Sequence, residues 1–149
     1  MLNAATHDLS FLRDRFADAH PGFAADFDEI AKELGKFLAM PQKGSAGPLA
    51  VMSHRVDELW HTFIHHTPQY VEFCNAAYGG YLHHQPRSDL HPVPASAISN
   101  FYTEYPKHYG KVPTMWLEDL PPKCCNGAIN GEVPPELLEM RWSGWPGWK

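Results

Sequence analysis

Between Phe23 and Leu38 the apolar residues Phe23, Phe27, Ile30, Leu34, Phe37 and Leu38 return at steps of three and four. That period lines one face of an α-helix; a half-buried strand would alternate every second residue. A similar stripe, Leu9, Phe11, Leu12 and Phe16, occupies "DLSFLRDRFADA", with Asp8 placed to cap its start. No convincing alternation of the strand type occurs along the chain. The pattern predicts an all-α fold of about five helices.

The first helix covers residues 8–19 and stops before Pro21, and the second runs from Gly22 to Met40. "PQKGSAGP" is a loop. A third helix runs from about Leu49 or Ser53 to His66. A fourth opens at Pro68 and closes at Gly79 and Gly80. Pro86, Pro92 and Pro94 make the next stretch irregular. A fifth helix spans about Ser96 to Tyr105. With 149 residues, one domain over 1–149 is expected, its irregular Pro/Gly/Trp-rich segment 111–149 packing on the helices.

Several function classes drop out. The formal charge is −5 and no block of Lys or Arg occurs, so nucleic acid is not an expected partner. No apolar run approaches the roughly 20 residues that cross a bilayer. The opening "MLNAATHDLSFLRDRF" lacks a charged-then-apolar leader pattern, and a cytoplasmic protein is expected. The cysteines Cys74, Cys124 and Cys125 form neither a disulfide framework nor a C-x-x-C zinc motif. Cys74 reads as a small buried hydrophobe and Trp60 as a core residue. Phe101, Tyr102 and Tyr105 read as a face packed on the core. Trp142, Trp145 and Trp148 read as rings laid on the protein's own core or on a partner.

The unusual feature is histidine, ten in all, four of them in "SHRVDELWHTFIHHTPQY". At 100° per residue, His54, Glu58, His61 and His65 share a narrow stripe flanked by Asp57. Met52, Val56, Leu59, Trp60 and Phe63 take the other side. A solvated helix face is normally Lys and Glu, whereas histidine is a weaker helix former and the commonest metal ligand. Asp57 and His61 are spaced i, i+4, and Glu58 and His61 i, i+3; either pair can share a cation. A further ligand is expected from His83 and His84 in "GGYLHHQP", brought back by the hairpin of the third and fourth helices. Two imidazoles and a carboxylate suit non-haem iron, and three imidazoles suit copper or zinc. The plain alternative is a polar helix face on which His61 bonds Asp57 or a backbone carbonyl.

Val56, Asp57, Trp60, His61, Thr62, Tyr70, Cys74, Gly79 and His84, preceded by "GPLAV", form an ordered string over about residues 46–86. It resembles the hallmark segment of the glycine-rich domain-containing proteins of plants and their short bacterial relatives. The resemblance implies no defined reaction. It ranks Asp57, His61 and His84 first; Glu58 stands where plant members carry an aliphatic residue, and His54 and His65 have no assured counterpart. The glycine-rich tail is missing, "KCCNGAINGE" being at most a remnant.

The expectation is a metal site of Asp57, His61 and one or both of His83 and His84, with His54, Glu58 and His65 as further candidates. A mononuclear iron or copper centre performing oxidative chemistry on a small-molecule or peptide substrate leads. A zinc-dependent hydrolase and a non-catalytic interaction module are the alternatives, and a homo-oligomer is compatible with each.

Overall fold

A computed structural model of the protein describes residues 1–45, 47–84 and 94–119. The all-α expectation holds. Five α-helices occur among the described residues, with no strand: α1 Arg13–Ala19, α2 Phe27–Ala39, α3 His54–His65, α4 Thr67–Tyr78 and α5 Ala95–Tyr109. None is long and apolar enough to cross a membrane. Cys124, Cys125 and the tail tryptophans lie outside the described residues.

The chain divides into two compact units. One comprises Met1–Lys43 and Arg55–His83, and the other the described residues of Gly44–His54 and His84–Lys149.

In the first unit the predicted stripe of α2 is the core. Phe27, Ile30, Leu34, Phe37 and Leu38 are buried together with Leu12, Phe16, Val56, Leu59, Phe63 and Phe73. Asp28 and Glu29 in the first turn and Lys36 in the last complement the dipole of α2. The helix starts at Phe27 rather than Gly22; Pro21 holds His20 out of the helical region, at φ −134° and ψ 67°, which separates the segment from α1. Pro21–Asp26 forms a 3₁₀ segment instead. Likewise only Arg13–Ala19 of the expected first helix is α; Ser10–Leu12 is 3₁₀, and Asp8 accepts from the Ser10 N–H. Gly79 closes α4 in the left-handed conformation, at φ 72°.

Gln42 fastens the N-terminus to the end of α4. Its amide donates to the Leu2 and Ala77 carbonyls at 2.7 and 2.9 Å and accepts from the Ala4 N–H at 2.9 Å. The turn so placed leaves no room beside α2. A Cβ on Gly35 would lie 3.2 Å from the Ala5 oxygen and 3.3 Å from that of Ala4. Gly35→Val is therefore expected to cost about 2 kcal/mol by overpacking, although glycine is itself a poor helix former. Urea denaturation measures the loss; a stabilised variant would contradict it.

In the second unit, α5 runs one turn beyond the expected end at Tyr105, through Pro106 to Tyr109. Proline forfeits one rung of the helix ladder. Contacts across it favour continuing: the Tyr105 ring packs on Tyr109 and Lys107 pairs with Glu104, while Phe101 and Tyr105 lie tilted against the buried Trp116 and the Tyr102 hydroxyl donates to the Trp116 carbonyl. The Ala50 N–H bonds the Ala97 carbonyl at 3.0 Å.

Candidate metal centre

The polar face of α3 is set by what its apolar face meets. Val56, Leu59, Trp60 and Phe63 are buried, with Trp60 packed against Phe37, as its position on the apolar side predicts. Arg55 pairs with Asp26 at 2.8 Å and covers the Phe23 ring. With those contacts made, Asp57, Glu58 and His61 are carried to the edge of the core rather than into open solvent. Asp57 is 8% exposed.

The segment after α4 is positioned by a chain of hydrogen bonds. Trp60 Nε1–H donates to the Tyr70 hydroxyl at 3.2 Å, and that hydroxyl donates to the Leu82 carbonyl at 2.6 Å. Tyr70 is fully buried, and burial pushes its phenol well above the ordinary range, so it stays a neutral donor. Leu82 is thereby fixed, and His84 follows two residues later.

Asp57, His61 and His84 each place one ligand atom within 4.8 Å of the others, a grouping that could hold a metal ion. Asp57 Oδ1, screened from solvent, lies 3.5 Å from His61 Nε2. That is long for a hydrogen bond. Two donors each about 2.1 Å from one cation at the tetrahedral angle stand roughly 3.4 Å apart, so the separation suits a shared ion. On the other edge of the ring, His61 Nδ1 faces Glu58 Oε1 at 3.7 Å, and Glu58 Oε2 pairs with His20 Nε2 at 3.1 Å. His61 holds its proton more tightly than an ordinary imidazole. The Glu58 carboxylate is the main cause; burial opposes it and the Asp57 charge adds to it.

The remaining expected ligands fall elsewhere. His83 is exposed and sets its ring edge-on to Tyr81, 4.8 Å away. His65 is exposed at the end of α3. His54 opens α3, where its backbone N–H donates to Asp119 Oδ2 at 2.7 Å. Glu58 sits between two histidines instead of joining the cluster. Cys74 is fully buried in α4. His20 and Asp119 were not expected near these residues. Neither lies on a periodic stripe, and only His20 carries a local hint, as the residue a following proline forces out of helical geometry.

The raised affinity of His61 for its proton has a measurable sign. Protonation of this group stabilises the metal-free fold fully below about pH 6.5, the ordinary imidazole value, and the contribution is lost as pH rises through the higher folded value. His7 is shifted the opposite way, chiefly by burial, so the comparison must cancel it. In chelator, the difference in melting temperature between the protein and His61→Gln should be larger at about pH 5.5 than at about pH 8.5. A flat or reversed difference would contradict the assignment.

A family model described as UCP032817-like matches residues 5–101, well over half of the 149-residue chain. Comparison with curated proteins and with solved structures gives no match. The match overturns the resemblance to the glycine-rich domain-containing proteins. The residues that carried that resemblance have a local explanation, since Trp60 and Tyr70 build the hairpin that fixes Leu82. Asp57 and His61 stand together on their i, i+4 spacing and 3.5 Å separation, independently of it. The match reaches past α3, α4 and His84 into α5, and the chain belongs to the UCP032817-like family.

Proposed function

We propose that this protein binds one divalent transition metal through Asp57, His61 and His84 and uses it for oxidative chemistry. The observation that carries the reading is the donor set: one buried carboxylate and two imidazoles with ligand atoms inside a 4.8 Å span. Three protein donors leave coordination positions for a substrate and dioxygen. Two histidines and one carboxylate are the set that non-haem iron enzymes use, which favours iron over copper. Asp57 supplies the anionic ligand and lowers the net charge of the centre, while the histidines bind as neutral donors. A small molecule presented to the open positions is the proposed substrate class. The same donors suit a hydrolytic zinc ion, and the 3.5 Å separation of Asp57 and His61, close to that of two donors on a four-coordinate cation, favours that second reading.

The test is reconstitution of chelator-stripped protein with equal Fe(II), Cu(II) and Zn(II), followed by elemental analysis. One equivalent of iron, together with an electron paramagnetic resonance signal on adding nitric oxide, supports an iron centre with an open position. Selective retention of zinc replaces it with the hydrolytic reading. No retained metal, with melting unchanged by chelator, leaves an interaction module in which Asp57 and His61 are architectural.

A further inference from the structure

Glu58 and His20 have no part in the ligand set, yet they form a connected array with it. His20 Nε2 lies 3.1 Å from one oxygen of Glu58, whose other oxygen lies 3.7 Å from His61 Nδ1. Asp57 takes the opposite ring nitrogen, Nε2. A carboxylate thus stands on each edge of one imidazole. His20 comes from the turn between α1 and the 3₁₀ segment, where its ring is stacked on Phe23 and tilted against Phe16. The Glu58 and His20 side chains are 23% and 26% exposed, so their charges are partly shielded from water.

We infer that Glu58 is a positioning residue for His61, held in place by His20, and that it fixes which nitrogen of His61 is offered to the metal. The inference rests on the metal reading above. A neutral imidazole that binds a cation through one nitrogen carries its proton on the other. With Nε2 facing Asp57, that proton belongs on Nδ1, the edge of the ring that faces Glu58 Oε1 at 3.7 Å. A carboxylate in this position fixes the tautomer, restrains ring rotation and makes the free nitrogen a stronger donor. It also explains why Glu58, spaced i, i+3 from His61, is not itself a ligand: it occupies the wrong edge of the ring. His20 acts only through Glu58, by fixing the carboxylate rotamer.

Cobalt(II) titration against a competing chelator, read by visible absorption, tests this in the full chain. Glu58→Ala should weaken Co(II) binding about 10- to 100-fold, the usual cost of losing such a partner, and should alter the absorption bands. Glu58→Gln, whose amide oxygen still accepts from Nδ1–H, should recover most of the affinity and the original bands. A merely structural role predicts unchanged bands in folded Glu58→Ala. His20→Ala should weaken binding by a smaller factor, and should add nothing in the Glu58→Ala background. Should Glu58→Ala fail to fold, the Gln and His20 variants carry the test, and wild-type affinity with unchanged bands in His20→Ala would overturn the His20 role. Unaltered affinity and spectrum in folded Glu58→Ala would overturn the inference while leaving the metal site standing. A wild-type protein that takes up no Co(II) would remove the metal reading and this inference with it.

Discussion

His61→Ala is expected to abolish metal retention while leaving the fold intact. Removal of an outer partner alone costs metal sites 10- to 100-fold in affinity, so deleting a ligand should cost more than about 100-fold. The effect on stability should be small. The His61 side chain is 31% exposed, and substitutions of that kind usually stay within about 1 kcal/mol. Isothermal titration and chemical denaturation of the same sample separate the two effects. Loss of binding with an unchanged denaturation midpoint fits a ligand. Loss of stability with retained metal would make His61 a structural residue.

Tyr70→Phe should do the reverse, damaging the fold first and the site through it. The hydroxyl is the acceptor for Trp60 Nε1–H and the donor to the Leu82 carbonyl, and it is buried. Leaving buried polar groups unmatched costs about 1–3 kcal/mol each, so a total loss of roughly 2 kcal/mol or more is expected. Because Leu82 is two residues from His84, the return segment loses its tether, and metal affinity should fall about tenfold, a loss of roughly 1.4 kcal/mol. Urea denaturation with and without metal distinguishes the contributions. A variant as stable as wild type would show that the hydrogen-bond chain does not hold the segment.

The helical class was legible because an apolar period of 3.6 is a property of neighbours along the chain, and α2 follows it residue by residue from Phe27 to Leu38. The ends of elements were less legible. Pro21 separates α2 from α1 by reshaping His20, and α5 outran Pro106 because contacts across it, Tyr105 with Tyr109 and Lys107 with Glu104, span the one lost rung. In the site, the i, i+4 relation of Asp57 and His61 is a local fact and could be read directly. His84 could be narrowed only to a pair with His83. The choice between them depends on where Tyr70 fixes Leu82, a contact twelve residues away in sequence. Spacing alone makes Glu58 a rival ligand, because it places the carboxylate near His61 without saying which ring nitrogen it meets. The partnership of His20 with Glu58 spans 38 positions and has no periodic signature at all.

The most direct measurement of the central claim is X-ray absorption fine structure on protein loaded with one equivalent of metal, compared with His84→Ala. Convergence of Asp57, His61 and His84 on a single cation predicts a nitrogen/oxygen shell at about 2.0–2.2 Å containing two imidazoles, falling to one imidazole in the variant. A shell without imidazole, or one that His84→Ala leaves unchanged, would contradict it.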